Sequence, residues 1–204
     1  MRKVHDYYFK KAKQDKYPAR SVYKLEEAQK KHRFLRLDDS VLDLGCQPGS
    51  WSMYAARIVG PGGSVTGVDL QEGKKVRLNK AAEIEYLCAD IMEPDFIEWL
   101  QKVKKCFRIV LSDIAPSTSG NKWVDQQQSI RLAYRVVEIT EALLERDGNL
   151  YFKVFEGEDF KELVDSVRKK FKVVRIVKPK SSRAESREVF VLGMGFLNKR
   201  VQGV

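Results

Sequence analysis

The chain has 204 residues, 43% of them hydrophobic and 32% charged, a composition that suits one globular domain with a proper core and excludes a disordered chain. Its net charge of +10 is unevenly spread: residues 1–36 hold 12 Lys/Arg against 4 Asp/Glu, residues 168–187 hold 9 against 1, and residues 37–167 hold 15 against 22. No apolar run approaches the ~20 residues that span a bilayer, and the N-terminus lacks the apolar core of a secretory signal. Single cysteines (Cys46, Cys88, Cys106) and only two histidines suit a reducing cytoplasm and leave little from which to build a zinc site, so no metal is expected.

After the basic segment 1–36, strand-like and helix-like patterns alternate. Residues 40–45 read as a short apolar strand ending in glycine, and 50–59 as a helix stopped by the Gly-Pro-Gly-Gly of 60–63. Strands follow at 64–70, closing on Asp69, and at 84–90, closing on Asp90. A helix at 93–105 opens on acidic residues and Pro94. Residues 107–113 form a buried strand, and 125–146 a long amphipathic helix closed by Asp147-Gly148. A strand at 149–155, a helix near 158–170 and strands at 172–179 and 187–195 complete the series. Such alternation implies an α/β fold, a seven-stranded, mostly parallel sheet with helices on both faces. The last two strands are joined by about eight residues, too few for a parallel crossover, so an antiparallel hairpin is expected at one edge. No repeat or linker interrupts the pattern, and one domain over 1–204 is expected.

In open α/β sheets, ligands sit beyond the carboxyl ends of the strands. Here the first strand ends in Gly45-Cys46-Gln47-Pro48-Gly49 and a helix follows. Glycines admit a close backbone approach, and the helix N-terminus offers free N–H groups. Asp69 at the end of the second strand suits both hydroxyls of a ribose, and Asp90 at the end of the third suits an adenine amino group. A dinucleotide fingerprint requires G-x-G-x-x-G, which Gln47 and Pro48 break, and no G-K-[ST] ending makes a P-loop. An adenosine cofactor without a pyrophosphate, S-adenosyl-L-methionine, fits better. Trp51 in the first helical turn is either an apolar wall over that cofactor or an ordinary core aromatic.

Four charged residues stand out: Lys24 in SVYKLEE, Asp113 in LSDIAPS, Lys153 in YFKVFEG and Glu188 in SREVFVL. Three lie in or at the ends of apolar strand-like runs, where an unpaired charge is costly. Together with LDLGCQPGSWS and KPKSSRAESREVFVLG, these blocks resemble the FtsJ/RrmJ family of ribosomal RNA (ribose-2′-O)-methyltransferases, from about Arg20 to about Gly195. The resemblance implies a Rossmann-like methyltransferase fold, S-adenosylmethionine as cofactor, and a Lys-Asp-Lys-Glu tetrad on Lys24, Asp113, Lys153 and Glu188. It also implies a cofactor site lined by Gly45, Gly49, Trp51, Asp69, Asp90 and Asp113. Cys46-Gln47 departs from the small residues common in bacterial members, a change expected to affect packing more than chemistry.

A ribose hydroxyl is a poor nucleophile and needs a base. Lys153 is the expected base, because burial and a second cation nearby, Lys24, favour a neutral amine. Asp113 and Glu188 would orient the two lysines. Ile114-Ala115-Pro116 lacks the aromatic that base N-methyltransferases place after this strand. Nearby Trp123 either stacks a nucleobase or packs its loop.

The two basic segments, with Tyr7, Tyr8, Phe9 and Tyr17 in the first, suit phosphate neutralisation with base stacking, so residues 1–36 are expected to contribute to RNA binding. The expected substrate is a uridine of large-subunit ribosomal RNA, free or in the subunit, in the cytoplasm, with no membrane and no obligate protein partner. The alternatives are a tRNA ribose 2′-O-methyltransferase and a non-catalytic ribosome-assembly factor retaining the fold.

Overall fold

In the computed structural model, which describes residues 2–73, 76–117, 119–183 and 185–197, seven strands form one sheet. They are β1 (Ser40–Leu44), β2 (Ser64–Asp69), β3 (Glu83–Cys88), β4 (Phe107–Ser112), β5 (Leu144–Phe155), β6 (Phe171–Val177) and β7 (Glu188–Phe196). Their order is β3-β2-β1-β4-β5-β7-β6. The first five run parallel, and β7 is antiparallel to both of its neighbours. Central strands are covered on both faces and therefore read as nearly unbroken apolar runs, as in Leu150 to Val154 around Lys153. The expected hairpin forms, with β7 inside the sheet and β6 at the edge. The residue types explain that choice: β7 is buried over most of its length, whereas β6 exposes every residue but Phe171 at least partly.

Helices α1 (Arg2–Gln14), α2 (Val22–His32) and α3 (Ser50–Val59) belong to one face, and α4 (Phe96–Val103), α5 (Lys122–Leu143) and α6 (Phe160–Arg168) to the other. Each face has its own core, one built on Leu42, Val110, Phe152 and Val191, the other on Val41, Ile109, Tyr151 and Phe190. Alternation along β5 and β7 thus assigns Lys153 and Glu188 to the same face as Tyr151 and Phe190, the face that α2 covers.

Three boundaries differ from expectation. β3 ends at Cys88, so Asp90 lies in the following turn, where its Oδ1 accepts the Met92 N–H. α5 begins at Lys122 and ends at Leu143, three residues earlier at each end than the sequence suggested. Asn121 caps it by accepting the N–H groups of Trp123 and Val124, and pairing of Leu144 with Phe107 draws the chain straight into β5. Asp147-Gly148 therefore sits inside β5, with Asp147 at φ +63°, instead of terminating a helix.

Candidate active site

The carboxyl ends of β1, β2 and β4 open onto a cleft of about 290 Å³ lined by Gly45, Gln47, Asp69, Leu70, Asp90 and Asp113, among others. The turn after β1 is held from both sides. Gly45 and Cys46 donate their N–H groups to Val68 O, and Gln47 N–H donates to Asp69 Oδ2. Gly45 adopts φ +72°, and a Cβ there would lie 2.2 Å from Ile114 Cγ1. Its glycine is therefore required by the neighbouring β4 turn, before any ligand is considered. Asp69 also accepts the Gln71 N–H through Oδ1, which fixes the carboxylate at the cleft edge. Cys46 is buried against Gly67 and Tyr86, a packing role as expected, whereas Gln47 borders the cleft itself.

Beneath the turn, Asp43 is fully buried, and its Oδ2 accepts a 2.6 Å hydrogen bond from Ser52 Oγ. Burial pushes this carboxyl up to about 7, against the Ser52 hydrogen bond, and the negative charges of Asp113 and Asp69 push the same way.

Beside the cleft the four charged residues meet. Lys153 Nζ donates to the main-chain oxygen of Asp113 at 2.6 Å and stands 3.0 Å from its Oδ1. Lys24 Nζ lies 3.7 Å from the same Oδ1 and donates to Glu188 Oε2 at 2.8 Å. The result is a continuous chain, Lys153–Asp113–Lys24–Glu188, in which one carboxylate oxygen is shared by two ammonium groups. The four side chains are only 6%, 17%, 12% and 12% exposed respectively, so their mutual attraction is weakly screened. Burial acts to raise the Glu188 carboxyl, but the charge and hydrogen bond of Lys24, together with Ser182 and the charge of Lys153, outweigh it and hold the group below the ordinary value.

Of the two roles open to Trp51, its ring takes that of a core aromatic. Its indole is buried in the core, stacked on Tyr151 at 5.5 Å between centroids, and Nε1 donates to Ser21 O. Tyr151 in turn stacks on Phe190 at 5.0 Å and donates its hydroxyl to Lys24 O. This aromatic stack therefore supports Lys24 from below. Gly49, at φ +99°, precedes α3, with the Tyr86 hydroxyl 2.8 Å from where a Cβ would stand.

Two contributors had gone unnoticed. Tyr151 is one. Glu27 is the other: its carboxylate accepts the N–H groups of Lys180 and Ser181, and Arg20 donates to Ser181 O. Lys24 and Glu27 are three residues apart on α2, a spacing that puts both on one face of a helix. These bonds dock the second basic segment on the first. Of the N-terminal aromatics, Tyr8 packs against Tyr23 and Arg57 covers Tyr17, while Tyr7 and Phe9 stay exposed.

A doubly flanked sheet with a glycine-turn cleft, and a lysine–carboxylate chain beside it, define a Rossmann-like methyltransferase domain. A family model described as FtsJ-like methyltransferase matches residues 17–196. The chain is 54% identical over 196 residues to the ribosomal RNA large subunit methyltransferase E of Desulfotalea psychrophila, covering 96% of this chain and 98% of that protein. It is 46% identical over 192 residues to the protein of the same name from Desulfosudis oleivorans, covering 94% and 91%. Among solved structures, a ribosomal RNA methyltransferase from Plasmodium falciparum superposes with a TM-score of 0.77 at 25% identity, over 90% of this chain and all of that one. The chain belongs to the FtsJ-like methyltransferase family.

Proposed function

We propose that this methyltransferase transfers the methyl group of S-adenosylmethionine to a ribose 2′-hydroxyl of RNA, with large-subunit ribosomal RNA as its substrate. The observation that carries the reading is the Lys153–Asp113–Lys24–Glu188 chain, set beside a cleft with carboxylates at its rim. The names of the similar proteins support the choice of RNA.

The cleft residues fit the cofactor. Asp69 has both oxygens fixed at the edge, where ribose hydroxyls can donate to their remaining lone pairs, and Asp90 faces the same space. Leu70 and Ile114 offer apolar surface for the adenine, and Asp113 offers negative charge for a sulfonium. When bound, S-adenosylmethionine supplies an electrophilic methyl group that needs no metal.

Lys153 acts as the base. One of its three hydrogen-bonding positions is taken by the Asp113 carbonyl, with Asp113 Oδ1 3.0 Å away, and another is left for the substrate hydroxyl. In the neutral amine that open position is a lone pair, which accepts the 2′-hydroxyl proton as the oxygen takes the methyl group. Asp113 Oδ1, 3.0 Å away, receives the charge that forms on Lys153, and at 3.7 Å it also holds Lys24. Glu188 holds Lys24 in that place. Positioning does the remainder, since alignment of two reactants is worth ~7–11 kcal/mol.

Residues 1–36 and 168–187 form the RNA-binding surface, an inference supported by the bonds that join them. The test is to offer the chain RNA and large subunits lacking the modification, with labelled S-adenosylmethionine, and to map the product. A 2′-O-methyl group on large-subunit RNA is expected. Methyl groups on a base, or on tRNA alone, would overturn the reading.

A further inference from the structure

Trp123 has no place in the mechanism above, and the fold leaves it conspicuously open. It is 62% exposed, in the first turn of α5, and among the described residues its ring has no aromatic or cationic partner. An exposed tryptophan whose function was to pack its loop would bury its ring there. Trp99, the other partly exposed tryptophan, does lean on a neighbour, Phe96.

The backbone beneath Trp123 is fixed. Its own N–H donates to Asn121 Oδ1, Asp125 accepts both the N–H and the hydroxyl of Ser119, and the Arg187 guanidinium donates to Lys122 O at 2.8 Å. Arg187 immediately precedes Glu188 of the tetrad, and its carbonyl accepts the Glu156 N–H. The helix start that carries Trp123 is therefore joined through Lys122 O and Arg187 to the strand that begins with Glu188.

We propose that Trp123 is a stacking platform for a nucleobase of single-stranded RNA, which positions the strand so that the target ribose reaches Lys153. This rests on the ribose-methylation reading. A large π-face on a rigid backbone loses little entropy when a base lands on it. Stacking is tolerant of sequence, so the platform sets the seating of the strand and leaves the choice of base to other contacts.

The test uses the full chain with S-adenosylmethionine. Wild type, Trp123→Ala, Trp123→Phe and Trp123→Leu are compared for single-stranded oligoribonucleotide binding by anisotropy, and for methyl transfer to ribosomal RNA. Trp123→Ala is expected to weaken RNA binding and raise the KM for RNA by about 5- to 150-fold, the range of one base–aromatic stack, with the KM for S-adenosylmethionine unchanged. Trp123→Phe should recover most of this loss and Trp123→Leu little. Unchanged RNA affinity in Trp123→Ala, or full recovery with Trp123→Leu, would overturn the platform. So would a loss seen only with assembled subunits, which would point to a ribosomal protein as the occupant. If wild type itself transfers nothing to a 2′-hydroxyl, the underlying reading falls, whereas normal wild-type transfer with an indifferent Trp123→Ala removes the platform alone.

Discussion

Replacing Asp43 by asparagine isolates the electrostatic cost hidden under the turn after β1. Asp43 is 1% exposed, and its carboxyl is displaced from 3.8 to about 7 because burial penalises the charged form. The folded chain therefore holds a proton on Asp43 that the unfolded chain releases, at every pH between roughly 4 and 7. In that window stability falls as pH rises, and it levels off once the folded group also ionises. At ~1.4 kcal/mol per pH unit of displacement, the loss accumulates to on the order of 4 kcal/mol. Asparagine cannot ionise, yet it keeps an oxygen for the Ser52 hydroxyl. Whatever its absolute stability, Asp43→Asn should gain on wild type by about that amount between pH 4 and pH 8, equivalent to ~8–16 °C in Tm for a chain of this size. Urea unfolding at half-unit pH intervals measures it directly, provided the transition is two-state. Parallel pH profiles for the two proteins would refute the reasoning and show that Asp43 is relieved by a partner other than Ser52.

Two further outcomes follow from the same geometry. Gly45→Ala must place a methyl group 2.2 Å from Ile114 Cγ1 at a positive φ, whereas Gly120→Ala, at φ +84°, meets nothing within 4 Å. Gly120→Ala should cost about 1–2 kcal/mol of backbone strain in chemical denaturation, and Gly45→Ala clearly more, with weakened binding of S-adenosylmethionine by calorimetry. Changing the exposed Lys10, Lys180 and Arg183 to alanine should flatten the plot of log affinity for single-stranded RNA against log salt by about 2 in slope, at ~0.7 for each lost phosphate contact, and leave the KM for S-adenosylmethionine unchanged.

Most of the sheet was legible because its central strands are apolar runs bounded by glycine and acidic turns, and the length of each connection fixed the sense of the next strand. Asp113, Lys153 and Glu188 were legible because charge in or at the ends of such runs is conspicuous, whereas Lys24, on α2, joined them through the family resemblance. The long helix was misplaced because its start is set by Asn121, whose capping role depends on two specific N–H contacts, and its end by strand pairing with Phe107, a long-range event. Trp51 was ambiguous for a similar reason. An aromatic in the first turn of a helix faces ligand or core according to what stands opposite, and here Tyr151 and Phe190 stand opposite. The docking of the two basic segments through Glu27 could not be read from charge counts, since it depends on backbone N–H groups of a loop more than 150 residues away.

The central claim is that Lys153, held on the Asp113 carbonyl, takes the proton of a ribose hydroxyl as a neutral amine. Its most direct test is single-turnover methyl transfer by Lys153→Ala at saturating S-adenosylmethionine, with the product mapped on the RNA and cofactor affinity measured alongside. A rate lower by about 10²–10⁴-fold is expected, with cofactor binding intact. A 2′-O-methyl group formed at the wild-type rate would contradict it.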